Sequence, residues 1–296
     1  MTKNPIFRGA ATALVTPMTE NGVDYVALKK LIDWQINEGI DALVIAGTTG
    51  EGSTLSDAEH RELLREAIQM IDGRVPAIAG TGSNDTAYAI ELTKYACELG
   101  YDAMLVVTPY YNKATQKGLI RMFTAIADAS TKPIILYNVP SRTGVDIAVS
   151  TYAALADHPM IAAAKEASGN ISKIAELAAT VGDKLDIYSG NDDQIVPILS
   201  LGGSGVISVL SNPMPKATSR MCHAFFEGEL EEARKLQLEL LPLTNALFSE
   251  VNPIPAKAAV SAMGFGEDYL RLPLTPMEDA TRAVLYSEMR KLGIKV

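Results

Sequence analysis

Residues 103–138 read AMLVVTPYYNKATQKGLIRMFTAIADASTKPIILYN. The runs 103–107 and 134–138 are short and apolar on both faces, and 117–129 between them has helical periodicity. A strand that is apolar on both faces must be covered on both, as in a parallel sheet flanked by helices. The same unit recurs along the chain. Candidate strands fall at 12–16, 42–46, 75–80, 103–107, 134–138, 161–165, 186–189 and 205–209. Helical stretches at 25–38, 57–71, 84–99, 117–129, 171–181 and 216–227 lie between or after them. In the first, Leu28, Leu31, Ile32 and Ile36 share one face; ahead of the second, Ser56 and Glu59 have capping-box spacing. Eight such units of about 30 residues predict a closed (β/α)8 TIM barrel rather than an open doubly wound sheet. Stretches 230–248, 255–263 and 275–292 read as further helices, and no low-complexity linker precedes them. The expected division is a barrel over 1–226 and a C-terminal helical extension over 227–296, packed on the barrel.

Composition fits that picture. The chain has 296 residues, 48% of them hydrophobic, enough for one barrel plus an extension. Lys and Arg number 26 against 35 Asp and Glu, a net charge of −9. That balance argues against nucleic-acid or anionic-membrane binding. Cys97 and Cys222 sit in helix-like segments and form no CxxC pair, which fits buried thiols in a reducing compartment. The first nine residues lack an apolar signal core, and no apolar run is long enough to span a membrane. A cytoplasmic location is expected.

In a barrel the chemistry lies at the carboxyl ends of the strands. That rule selects Gly47–Glu51, Tyr110-Tyr111-Asn112, Tyr137–Gly144, Lys165–Ser168 and Ser189–Asp192. It places Gly202-Gly203-Ser204 on the opposite face, as a tight turn. Two nucleotide motifs fail. Gly47 to Thr54 has the glycine spacing of a P-loop, but Ser53 stands where its lysine is required; Gly80-Thr81-Gly82 lacks the third glycine of a dinucleotide fingerprint. His60, His158 and His223 are scattered, so no metal site is expected. Lys165 ends the run Ile161-Ala162-Ala163-Ala164 and points into the barrel if Ala163 does. Apolar surroundings favour a neutral amine, the form that attacks a carbonyl. Taken alone, Lys165 also suits a structural pair with a carboxylate at the barrel mouth. Tyr137 ends the neighbouring strand, within reach of Lys165 or as a core tyrosine. Thr48 could extend a hydroxyl chain from Tyr137 or simply cap its own turn. Arg142 could fork onto a substrate carboxylate or form a surface ion pair.

Together, Gly-Thr-Thr-Gly-Glu at 47–51, Tyr-Asn-Val-Pro-x-Arg-Thr-Gly at 137–144 and Lys-Glu-Ala-Ser at 165–168 resemble the pyruvate-dependent class I aldolase and N-acetylneuraminate lyase superfamily. Val15-Thr16-Pro17, Thr108–Asn112, Gly205–Ser208 and Asn252-Pro253-Ile254-Pro255 extend the likeness over the whole chain. Arg142 with Tyr111 marks the dihydrodipicolinate synthase branch. The resemblance implies condensation of pyruvate with L-aspartate 4-semialdehyde through a Schiff base on Lys165, giving 4-hydroxy-tetrahydrodipicolinate, with no cofactor. It implies a proton relay of Tyr137, Thr48 and Tyr111, a pyruvate-carboxylate site at Thr48 and Thr49, Arg142 on the aldehyde substrate's carboxylate, and Gly190 and Ile207 beside the lysine. It implies a homotetramer, a dimer of dimers in which Tyr111 reaches the neighbouring site. A regulatory lysine pocket would fall at Asp57, His60, Asn84, Tyr88 and Tyr110, near Gly52 and Ser53, with Tyr88 where sensitive members carry a glutamate. A sugar-acid or N-acetylneuraminate lyase of the same superfamily and a non-catalytic barrel subunit are the alternatives.

Overall fold

The structure is a computed structural model that describes residues 5–296. Eight parallel strands close into a barrel: β1 Gly9–Ala13, β2 Ala42–Ile45, β3 Ala77–Gly80, β4 Ala103–Val107, β5 Ile134–Asn138, β6 Ile161–Glu166, β7 Asp186–Ser189 and β8 Gly205–Ser208. The ring closes where Gly9 to Thr12 pair with Gly205 to Ser208. Seven strands fall within two residues of their expected bounds; the first starts three residues earlier than expected. Its opening Gly9-Ala10-Ala11 has no β-branched signal because the backbones are crowded there. A Cβ on Gly205 would stand 1.9 Å from the Gly9 carbonyl oxygen.

Alternation along the strands sorts side chains into two layers. Ala11, Val44, Ile78, Leu105, Ile135, Tyr137, Ala163, Tyr188 and Ile207 fill the barrel. Phe7 joins them, stacked on Tyr188 with ring centroids 4.3 Å apart. Leu43, Ile45, Met104, Val106, Leu136, Ala164, Ile187 and Val206 belong to the outer core, with the helices. One irregularity sets the phase of β6. Ile134 pairs with Ile161, but Ile135 pairs with Ala163, so Ala162 is an extra residue on that strand. Beyond the bulge, Tyr137 pairs with Lys165, which pairs in turn with Tyr188.

The surrounding helices are α1 Tyr25–Asn37, α2 Asp57–Ile71, α3 Thr86–Glu98, α4 Gln116–Asp128, α5 Val149–Leu155, α6 Ile171–Val181, α7 Ile195–Ser200 and α8 Pro215–Phe226. The capping box at Ser56 and Glu59 is present. The short α5 and α7, and a small hairpin of Met18–Thr19 with Gly22–Val23, were not expected from the sequence. Beyond the barrel lie α9 Leu230–Glu239, α10 Leu241–Leu247, α11 Ile254–Ala262 and α12 Asp279–Lys291. The single helix expected over 230–248 is therefore two. Pro242 sits in the first turn of α10, where its missing N–H costs nothing, and it cannot continue α9. Gln237 of α9 accepts from the Val196 N–H and donates to the Asp192 carbonyl, binding the C-terminal helices to the loop after β7. No helix among the described residues is long and apolar enough to cross a membrane.

Candidate active site

The loop after β2 turns by two left-handed residues that are not glycine, Ala46 (φ 57°) and Glu51 (φ 54°). Such residues are sparse and strained, and they persist where the surroundings hold them. The neighbours make room: a Cβ on Gly52 or on Gly80 would come within 2.4 Å of the Ala46 carbonyl oxygen. Thr16 donates its hydroxyl to the Gly50 carbonyl at 2.7 Å. Lys257 of α11 forms a buried ion pair with Glu51, whose other oxygen accepts from the Arg271 N–H. The loop is thus pinned from the segment after β1 and from the C-terminal region. Its Thr48 and Thr49 N–H groups donate to no carbonyl among the described residues. Thr49 is buried, and its Oγ1 accepts from Asn252 Nδ2 at 3.0 Å.

Lys165 lies inside the barrel, because Ala163, two residues earlier, belongs to the interior cluster. It is 5% exposed, and its Nζ stands 4.1 Å from the centroid of the Tyr137 ring. Among the described residues it forms no ion pair. Gly190 leaves room for it: a Cβ there would lie 3.2 Å from Lys165 Cε and 2.6 Å from Ala167 Cβ. Ile207 is buried in the same interior cluster. Asp192 is also fully buried. Burial pushes its carboxyl above the ordinary range, against hydrogen bonds from Ser208, Leu210 and Val209 and the nearby Lys165 charge.

Glu166 points the other way, and its polar contacts fix the strand end. It accepts from Asn138 Nδ2 (2.6 Å), the Tyr152 hydroxyl (2.8 Å) and the Ser168 hydroxyl (2.6 Å), with Lys173 at 3.4 Å. Burial, reinforced by this carboxylate, drives the Tyr152 phenol well above its usual range. The network ties β5, β6, α5 and α6 together directly behind the lysine.

Thr48, Tyr137 and Arg142 line a cavity of about 350 Å³, within the range of small-ligand sites. Arg142 sits on the single helical turn Pro140–Thr143 and is exposed; its Nη2 donates to the Asn252 carbonyl at 3.0 Å. It has no carboxylate partner among the described residues. The expected relay is not closed within one chain. No hydrogen bond joins the Thr48 and Tyr137 hydroxyls among the described residues, and Tyr111 is 93% exposed with φ 70°. Tyr110 does reach the cavity, and its carbonyl accepts from Asn84 Nδ2 at 3.3 Å. His60 and Tyr88 border the same cavity. His60 Nε2 lies 3.0 Å from the Gly80 carbonyl, and burial holds the imidazole below its usual range, hence neutral. The Tyr88 phenol is pushed up to about 12, by burial first and then by its hydrogen bond to Asp57. Asp57 is already held by Arg61 through two contacts at 2.9 and 3.0 Å.

Sequence patterns alone assign no role to Asn252, Lys257, Glu166 or Asp192. The first lies within the Asn-Pro-Ile-Pro motif and the last two within quoted strand-end motifs, but only the fold shows their partners.

The chain's similarities point one way. The model of the Dihydrodipicolinate synthetase family matches residues 6–291. A 4-hydroxy-tetrahydrodipicolinate synthase of Lachnoclostridium phytofermentans is 57% identical over 291 residues, covering 98% of this chain and 99% of that protein. The crystal structure of dihydrodipicolinate synthase from Aquifex aeolicus superposes with a TM-score of 0.96 at 41% identity, covering 98% and 99% of the two chains. A dihydrodipicolinate synthase variant described as monomeric superposes with a TM-score of 0.95 at 40% identity, covering 98% of each chain.

Proposed function

The chain belongs to the dihydrodipicolinate synthetase family, and from that premise we propose how its residues carry out the family's reaction. The enzyme is a Schiff-base lyase that condenses pyruvate with L-aspartate 4-semialdehyde to 4-hydroxy-tetrahydrodipicolinate, a step toward diaminopimelate and lysine. The observation that carries the residue assignment is Lys165 itself, buried at the carboxyl end of β6 against Tyr137 and, among the described residues, without an ion-pair partner. Its Nζ, once it has given up its proton, adds to the pyruvate carbonyl carbon, and water leaves to give an iminium. Loss of a methyl proton gives the enamine, whose carbon attacks the aldehyde. The amine of the adduct then displaces Lys165 as the ring closes. Thr48 and Thr49 hold the pyruvate carboxylate with N–H and hydroxyl donors; Arg142 holds the carboxylate of the aldehyde. Tyr137, Thr48 and Tyr111 carry protons to and from the buried centre. No cofactor takes part in this scheme.

Borohydride reduction in the presence of pyruvate, followed by digestion and mass analysis, tests it. A reduced pyruvyl adduct on Lys165 is expected, and its absence would falsify the assignment. Arg142→Ala should still trap pyruvate yet raise the KM for the aldehyde about tenfold or more, as loss of a charge-assisted contact requires. Efficient cleavage of N-acetylneuraminate would favour a sugar-acid lyase instead.

Tyr111 points to assembly. The Tyr111 ring is 93% exposed, and its left-handed backbone is a conformation that persists where something holds it. A cytoplasmic homotetramer, a dimer of dimers in which Tyr111 completes the neighbour's relay, accounts for it. Mixed Lys165→Ala and Tyr111→Phe subunits should regain activity; verified hybrids that stay inactive count against sharing. Regulation by lysine is expected to be weak or absent. Tyr88 offers no carboxylate to an ammonium group, and Arg61 already neutralises Asp57. A sub-millimolar inhibition constant would overturn that expectation.

A further inference from the structure

Asn252 hydrogen-bonds to both of the proposed carboxylate-binding residues, Thr49 and Arg142. Its side-chain Nδ2 donates to Thr49 Oγ1 at 3.0 Å, and its main-chain carbonyl accepts from Arg142 Nη2 at 3.0 Å. It is buried, and it comes from the segment before α11, 203 positions from Thr49. The direction of the first bond matters. A hydroxyl has one proton and two lone pairs. With Asn252 Nδ2 in an acceptor position, the Thr49 proton is not used on it, and among the described residues that hydroxyl donates to no other group. Asn252 Oδ1 is buried without a partner there, and the opposite amide orientation, in which Oδ1 takes the Thr49 proton, is the alternative that the variants below exclude or uphold. A buried hydroxyl with an unused proton is expensive unless an acceptor arrives. The adjoining Thr48 and Thr49 N–H groups donate to no carbonyl among the described residues either.

We propose that Asn252 is a positioning residue that sets the polarity of Thr49, turning its hydroxyl proton toward the pyruvate carboxylate, while its carbonyl independently orients Arg142 for the second substrate. The proposal rests on the reading of Thr49 as a pyruvate ligand. It separates the two substrates in a way that general loosening of the site does not. Replacing the Asn252 side chain removes the bond to Thr49 and keeps the carbonyl that holds Arg142.

Steady-state kinetics of Asn252→Ala, Thr49→Val and the double variant test this. Asn252→Ala should raise the KM for pyruvate about three- to tenfold, the range of one neutral hydrogen bond, with kcat and the aldehyde KM close to wild type. The double variant should match Thr49→Val alone, because Asn252 acts through that hydroxyl. Asn252→Asp, nearly isosteric, carries the test should the alanine variant not fold. Its carboxylate would take the Thr49 proton and face the pyruvate carboxylate, so the pyruvate KM should rise further than with alanine. A wild-type pyruvate KM in Asn252→Asp, alongside an impaired Thr49→Val, overturns the polarity argument. Additive effects in the double variant overturn action through Thr49. Equal rises in both substrates' KM reduce Asn252 to a structural residue. An unchanged pyruvate KM in Thr49→Val removes the underlying reading, and the proposal falls with it.

Discussion

Lys165 and Lys257 are both hidden from solvent, 5% and 2% exposed, but their surroundings are opposite. Lys257 meets the Glu51 carboxylate and donates to the Tyr269 carbonyl at 2.9 Å. Burial lowers its pKa, and Glu51 opposes that shift. Lys165 has an aromatic face, the space left by Gly190 and, among the described residues, no paired acid; one Asp192 oxygen is taken by the Val209 and Leu210 N–H groups. Burial alone therefore does not mark a reactive lysine. What separates the two is the partner: a carboxylate in contact favours the ammonium and occupies it, whereas a ring that lines the cavity leaves the nitrogen without a paired charge.

The sharpest test of that contrast is to remove each charge. Lys165→Gln should show no measurable turnover and no trapped pyruvate, with a thermal midpoint close to wild type. Lys257→Met should do the reverse. It leaves Glu51 buried and unpaired, a loss of about 3–5 kcal/mol in denaturant unfolding, while the folded fraction still traps pyruvate on Lys165. Adding Glu51→Gln should recover part of that loss, since the two sites are coupled. If Lys257→Met kept full stability but lost the adduct, the division between structural and reactive lysine would collapse.

The smallest effect concerns the outer end of the same C-terminal clamp. Arg271 pairs with the partly exposed Glu59. Hydrogen bonds from Arg271, then from the Ser56 N–H, hold the Glu59 carboxyl at about 2, against an ordinary 4.5. The folded chain keeps Glu59 charged where the unfolded chain takes up a proton. The pair contributes fully above about pH 4.5, and its contribution fades as the pH falls toward 2. Glu59→Gln should therefore flatten the acid limb of the stability profile in that window, by about 1 kcal/mol or less at neutral pH. An unchanged acid limb would show that the clamp's strength lies entirely in its buried half.

Local sequence carries what is decided locally. Strands 103–107, 134–138 and 186–189 match their sequence bounds, as do the helices 57–71 and 171–181, because their apolar periods and caps lie within the segments. Lys165 was legible because a lysine that closes an apolar run stands out, and its inward direction follows from Ala163. The first strand was misplaced because close backbone packing selects glycine and alanine there, and these look like loop. Asn252 and Lys257 were legible only as residues. Their partners Thr49 and Glu51 lie 203 and 206 positions away, and no spacing rule joins them. Tyr111 is the converse case, a motif residue whose own chain supplies no destination.

The unpaired Ala162 has a consequence for what changes in length β6 can accept. Side chains alternate, so a surplus residue within the regular ladder decides which of two successive positions looks inward. Delete Ala162 and the count from Ile161 becomes regular with nothing displaced: Ala163, Ala164 and Lys165 keep Ile135, Leu136 and Tyr137 as partners. Insert one residue between Ala163 and Ala164 in a regular ladder instead, and Ala164 comes opposite Tyr137, the nitrogen is carried into the layer beneath the helices, and Glu166 no longer comes opposite Asn138. Composition would be almost untouched and the barrel could still close, yet the chain would have exchanged its nucleophile for a methyl group. Frame, more than identity, is what this strand must conserve.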